Sequence, residues 1–124
     1  MLTIDPTQSL LLVIDMQRRL LPAISGREQV VSNLERLIQS ARTLGIPIVY
    51  TEQYPRGLGA TTPVLAAREG EPVLEKMTFD AVETGKLLEL AGERQQWVIG
   101  GCESHVCVLQ TALGLGETGK KVYL

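Results

Sequence analysis

Two cysteines and one histidine are the whole supply of thiol and imidazole side chains in this 124-residue sequence. Cys102, His105 and Cys107 fall within six positions of one another. A zinc site takes about four N/S ligands, or three and a water, and on a helix positions 105 and 107 point to different faces. No metal is expected. Two thiols do not make a disulfide framework, and although they are close enough to pair, their spacing is not that of a C-x-x-C redox motif. Free thiols in a reducing cytoplasm are the expectation. The chain also lacks any apolar run near the roughly 18 residues that cross a bilayer. Its first residues, MLTIDPTQ, put no basic region ahead of the apolar stretch, so neither a membrane partner nor a signal peptide is expected. Neither sign of charge dominates: 12 Lys and Arg against 14 Asp and Glu give a net charge of −2, with the basic residues scattered. That leaves no electrostatic footprint for nucleic acid. Internal repeats, low-complexity segments and domain linkers are absent as well.

What is present is an ordinary globular composition, 44% apolar and 21% charged. It is enough for one domain, residues 1–124, to bury a core without staples. SLLLVID (9–15) is apolar at nearly every position and stops at an Asp, the pattern of a strand buried on both faces of a parallel sheet. The stretch 25–45 reads as a helix, with Val30, Val31, Leu34, Leu37, Ile38 and Ala41 on one face. Ser25 and Glu28 have capping-box spacing and Gly45 is placed to stop it. A second strand follows at 46–53, completing a βαβ unit. Residues 54–72 are rich in Gly and Pro, with one helical turn expected at 64–68; loops this long inside a domain are usually functional. A short third strand (72–76), a helix at 80–93 weakened by Gly85, a fourth strand (96–101), a helix at 104–119 with Ser104 as N-cap, and a fifth strand (120–124) complete the pattern. Gly114 and Gly116 each cost that last helix about 1 kcal/mol against Ala, which puts its final turns in doubt.

In an open parallel α/β sheet, ligands bind outside the carboxyl ends of the strands. The residues just past each strand are Asp15 and Gln17; Thr51, Glu52 and Gln53; Lys76; and, after the fourth, Cys107. An acid, an amine and a thiol thus meet at one rim. Thiolate is the reactive form of cysteine, and its pKa falls near a helix N-terminus or a cation. Cys107 is expected in the first turn of its helix with Lys76 as the cation, and Asp15 can take the thiol proton. Each residue also has a plainer reading: Cys107 as inert core, Asp15 as a turn former, Lys76 as a solvated lysine. Cys102 ends a buried strand, as core or site wall. His105 cannot meet Cys107 at i, i+2 on a helix and is read as wall or packing.

LLLVIDMQ, IVYTEQYPRGLG, EKMTFDA and GGCESHVCVLQTALGL, in this order over about residues 8–124, resemble the isochorismatase-like cysteine hydrolases, in their isochorismatase domain-containing branch. The resemblance implies a Rossmann-like three-layer α/β/α sandwich with a mostly parallel sheet. It also implies a Cys–Asp–Lys triad, carried onto Cys107, Asp15 and Lys76. A non-proline cis peptide would join Cys102 to Glu103 and turn backbone N–H groups near Val106 and Cys107 toward the substrate oxygen, as an oxyanion hole. Gln17, Gln53, Tyr54, Phe79, Ser104 and His105 would face the substrate. The implied reaction is hydrolysis of a small-molecule amide or related C–N bond through a thioester; members that cleave a vinyl ether do not all need the cysteine. Nicotinamidases of this kind hold a metal with an Asp and two His after the second strand, where TEQYPRG has no histidine, so no cofactor or metal is expected. Many proteins of this kind are oligomeric, so the resemblance implies a homo-oligomer.

Two departures are expected to matter. Gly114 and Gly116 stand where relatives tend to carry Asp and a larger apolar residue. Relatives also continue past KVYL, so the last strand(s) and helices of the sandwich are expected to be missing. The alternative function is therefore a non-catalytic, truncated fragment or an oligomer-forming interaction protein. A flavodoxin-like ligand-binding module is a weaker third reading, because no Gly-rich phosphate loop follows the first strand.

Overall fold

The fold is seen in a computed structural model that describes residues 3–124. Five strands form one all-parallel sheet in the order β3-β2-β1-β4-β5: β1 Ser9–Ile14, β2 Ile48–Gln53, β3 Val73–Lys76, β4 Gln96–Gly101 and β5 Lys121–Tyr123. The continuous apolar run of β1 makes it the central strand, buried at all six positions and paired with β2 on one side and β4 on the other. Its side chains divide between two cores, as the period of two in a strand requires. Leu10, Leu12 and Ile14 join Trp97, Leu87 and Leu115 on one face. Leu11 and Val13 join Leu34, Ile38 and Tyr50 on the other. The second face is covered by α1 (Arg27–Leu44), the first by α3 (Leu87–Ala91) and α4 (Cys107–Glu117). The result is the expected three-layer sandwich. β2 leaves β1 in one direction and β4 in the other, so the carboxyl end of β1 opens onto the crevice between them.

Several local expectations are corrected. The Ser25–Glu28 capping box does not form, because α1 starts one residue later, from a left-handed Gly26 (φ 70°) that leaves Ser25 outside the N-cap. At the other end Gly45 (φ 69°) does close the helix, donating its N–H to the carbonyls of Ala41 and Arg42. The helical turn expected at 64–68 is a shorter 3-10 turn at Pro63–Leu65, and a turn that was not expected, α2 (Pro55–Leu58), precedes it. Each opens on a proline, which has no N–H to leave unpaired there. The helix expected at 80–93 is broken at Gly85 (φ 71°) into a 3-10 turn, Ala81–Thr84, and α3. Asp80 caps the first piece by accepting the Val82 N–H at 2.8 Å.

α4 starts at Cys107, not at Ser104, and Ser104 caps nothing. It runs unbroken through both glycines to Glu117. Gly114 is a close-approach position: a Cβ there would lie 2.5 Å from Asp80 Oδ2. Gly116 faces open space.

Candidate active site

The site grows out of four chain segments brought together by strand register. Ile14 pairs with Thr51 and with Gly101, and Gln53 pairs with Lys76, so the residues after β1, β2, β3 and β4 share one rim. Gly101 (φ 136°) lets β4 end tight against β1, since a Cβ there would overlap the Ile14 carbonyl oxygen. Asp15 itself turns left-handed (φ 51°), a conformation that Asp tolerates better than most residues. This turn swings the chain out of the sheet directly after Ile14.

At the centre is Lys76, with an ammonium group wholly shielded from solvent. Its Nζ donates to Asp15 Oδ2 at 2.9 Å, Gln53 Oε1 at 2.7 Å and the Thr78 carbonyl at 3.0 Å, and lies 3.3 Å from Cys107 Sγ. The other Asp15 oxygen accepts from Thr51 Oγ1 at 2.8 Å. A buried charge is tolerated when it is paired and its remaining hydrogen-bonding capacity is filled, and both conditions are met. Cys107 is the first residue of α4, buried against the aliphatic core. Burial pushes its thiol up to about 11; the hydrogen bond and charge of Asp15 push the same way, and Lys76 pulls back. The expected direction, a thiol pulled down by the cation and the helix end, is therefore reversed. The balance of these effects favours the protonated thiol in the resting site.

Cys102 lies beneath, with Sγ 3.6 Å from the Asp15 carbonyl and 3.5 Å from Met16 Sδ. Burial, then the charge of Asp15, raises its thiol to about 12. Both thiols are free. The Cys102–Glu103 peptide is cis. The Val106 N–H donates to the Glu103 carbonyl at 3.1 Å, whereas the Cys107 N–H makes no hydrogen bond among the described residues.

The residues expected to face substrate separate into groups. Gln17 is wholly buried. In place of a ligand contact, its Nε2 donates to the carbonyls of Gln53 (2.8 Å) and Gly59 (2.7 Å), while its Oε1 accepts the Gln53 N–H at 2.7 Å. It clamps the 53–59 loop to the end of β1. Gln53 is half-buried and holds Lys76. Tyr54 and Phe79 are exposed next to the lysine, the Tyr54 N–H donating to the Lys76 carbonyl at 2.9 Å. Ser104 and His105 are exposed on the turn before α4 and make no hydrogen bond to the buried triad. The Glu103 carboxylate lies 4.0 Å from His105 Nε2.

Sequence reasoning assigned no role to Thr78 or Thr111. Thr78 acts through its carbonyl, which any residue type supplies. Thr111, buried in α4, accepts the Ala81 N–H at 3.0 Å and donates to the Phe79 carbonyl at 3.3 Å, tying the loop after Lys76 to the helix that carries Cys107. Thr51 was visible as a strand-end residue; the signal for its role is its pairing with Ile14, one position before Asp15. A surface cavity of about 540 Å³ lies between Arg18, Leu21 and the Arg27–Glu35 stretch of α1 and includes none of Asp15, Lys76 or Cys107. Among the described residues no group of three or more His, Cys, Asp or Glu is gathered to hold a metal.

A doubly wound parallel sheet with a buried Cys, Asp and Lys gathered at its strand ends defines an α/β protein with a candidate site at the switch point. The chain belongs to the isochorismatase family: the sequence model of the isochorismatase domain matches residues 9–124. It is 40% identical over 124 residues to isochorismatase domain-containing protein 1 of Danio rerio, covering 98% of this chain and 44% of that protein. With isochorismatase domain-containing protein 2 of Danio rerio it shares 40% over 119 residues, 94% of this chain and 59% of the relative. The chain thus spans about half the length of these curated relatives. Among solved structures, MAR1 ribonuclease from Caenorhabditis elegans matches with TM-score 0.87 and 39% identity, over 96% of this chain and 62% of that one. An isochorismatase from Pseudomonas putida KT2440 matches with TM-score 0.84 and 27% identity, over 96% and 69%.

Proposed function

We propose that the site is that of a cysteine hydrolase acting on an amide or related C–N bond of a small molecule, with Cys107 as nucleophile, Asp15 as general acid/base and Lys76 as the cation between them. The observation that carries this reading is the single Lys76 ammonium set between Asp15 Oδ2 at 2.9 Å and Cys107 Sγ at 3.3 Å, in surroundings closed to bulk water. A structural lysine has no need of a thiol neighbour.

The chemistry follows from the proton positions. As the Cys107 sulfur adds to the substrate carbonyl carbon, its proton passes to Asp15 and the carbonyl π electrons move to oxygen. The Cys107 N–H, at the start of α4, is the donor for that oxyanion. The C–N bond then breaks, Asp15 returns the proton to the leaving amine, and a thioester to Cys107 is left. Water, deprotonated by Asp15, adds to the thioester; the C–S bond breaks, the acid leaves and the proton returns to sulfur. Lys76 transfers no proton in this sequence; its Nζ, between Asp15 Oδ2 and Cys107 Sγ, stabilises the negative charge that develops on sulfur. The high resting thiol value fits a base-assisted attack and not a pre-formed thiolate. Cytoplasmic residence and a homo-oligomer complete the reading; they are supported by the two free thiols and by the exposed apolar Met77, Phe79, Leu109 and Leu113.

A panel of small primary amides, ureas and N-carbamoyl compounds, followed by amine release and by mass spectrometry of the intact chain, tests the proposal. Turnover or a Cys107 acyl adduct is expected, both lost in Cys107→Ala. Absence of turnover and adduct on every compound, with cleavage of single-stranded RNA instead, would replace this reading with the nuclease activity named for the nematode relative.

A further inference from the structure

An ammonium group has three hydrogens, and Lys76 Nζ has four neighbours within hydrogen-bond reach: Asp15 Oδ2, Gln53 Oε1, the Thr78 carbonyl and Cys107 Sγ. The three oxygens lie at 2.7 to 3.0 Å and the sulfur at 3.3 Å. Oxygen is the stronger acceptor, so in the resting site the three N–H groups are taken by oxygen and a neutral sulfur is the surplus contact. When sulfur gains negative charge it needs one of those N–H groups, and one oxygen must let go. Asp15 cannot, being the buried counter-charge. The Thr78 carbonyl cannot, because its loop is anchored by the Thr78 Oγ1 bond to the Asp80 carbonyl (2.9 Å) and by Thr111 to Phe79 and Ala81.

Gln53 can. Its amide is neutral, sits at the end of a rotatable side chain on a half-buried residue, and makes no hydrogen bond among the described residues through its NH2 group. Its backbone cannot drift, since the Gln17 amide grips both its N–H and its carbonyl. The motion is therefore confined to the side chain.

Resting on the reading of Cys107 as nucleophile, we propose that Gln53 is the displaceable partner of Lys76: its Oε1 occupies, in the resting site, the N–H that the Cys107 sulfur requires when it becomes anionic. The exchange breaks one N–H···Oε1 bond and forms one N–H···Sγ bond, and no proton leaves Lys76. Gln53 is thus a positioning residue that sets the reactivity of the thiol. Its freed amide then turns toward the mouth of the site, where Tyr54 and Phe79 stand.

Site-resolved iodoacetamide alkylation of the full chain, at about pH 8 and below the thiol midpoint, tests this. Gln53→Met keeps the bulk and removes the acceptor; the sulfur gains an N–H, the thiolate fraction rises, and alkylation of Cys107 is expected to speed up by about three- to tenfold. Gln53→Glu adds a stronger, charged acceptor and is expected to slow it by a similar factor. Gln53→Asn, which draws the oxygen back by one methylene, falls between wild type and Gln53→Met. Cys102, buried under the same rim, reports any loosening of the fold and stays silent in all variants. Loss of packing alone would move the Met and Glu variants in the same direction, and that result, or an unchanged rate in Gln53→Met, overturns the proposal. If Cys107 of the wild type labels no faster than Cys102, the nucleophile assignment itself fails, before any variant is considered, and the inference falls with it.

Discussion

Lys76 is the residue through which the others are held. With its ammonium removed, as in Lys76→Met, Asp15 loses its cation and keeps neutral partners such as the Thr51 hydroxyl while remaining fully buried. Breaking one side of a buried ion pair costs about 3–5 kcal/mol. Urea denaturation of Lys76→Met is expected to show a loss of that order, and a double variant, Lys76→Met with Asp15→Asn, to recover part of it. A loss below about 1 kcal/mol would mean that the pair is worth no more than a surface bridge. The identities of Asp15, Lys76 and Cys107 were legible in the sequence because a strand end is a place a pattern can mark. The thiol's protonation was not. It depends on how deeply Cys107 is buried and how close Asp15 comes, quantities set by packing across about ninety residues of chain.

Among the elements, α4 shows most clearly what spacing conceals. Propensity assigns both of its glycines the same penalty, but the structure separates them. At Gly114 a Cβ would meet Asp80 Oδ2 at 2.5 Å and Oδ1 at 2.6 Å, and Asp80 is held in place as the cap of the turn Ala81–Thr84. Gly114→Ala is therefore expected to destabilise the fold by about 1–3 kcal/mol, as overpacking does. Gly116→Ala meets nothing within 4 Å and is expected to stabilise it by roughly 0.5–1 kcal/mol. Urea midpoints of the two variants should move in opposite directions; a shared direction would show that propensity alone governs the helix. The strands were legible because continuous apolar runs and parallel burial go together. The helix starts were not. Gly26 at the head of α1 and Val106 at the head of α4 cap without side-chain hydrogen bonds, so no polar residue advertises the boundary.

For the whole molecule, the two buried thiols set a response to alkali. Burial raises Cys107 to about 11 and Cys102 to about 12, against about 8.5 for a thiol in an unfolded chain. Both groups hold their protons more tightly when folded. Their contribution to stability is thus complete below about pH 8.5 and is lost as pH rises through the folded values. Unfolding midpoints in urea are expected to fall steadily above about pH 8.5, and Cys102→Ala to flatten part of that slope; a profile unchanged by Cys102→Ala would show that its thiol is not protected by folding.

The sheet order has one more consequence, in the time domain of synthesis. β1 is made first and ends as the middle strand, with β2 on one edge and β4 on the other. About eighty residues separate the end of β1 from the start of β4, an interval of roughly 4–16 s at ordinary elongation rates. For that time the most apolar segment of the nascent chain carries an unpaired edge. Any ribosome-bound chaperone that reads extended aliphatic sequence has its longest opportunity at residues 9–14.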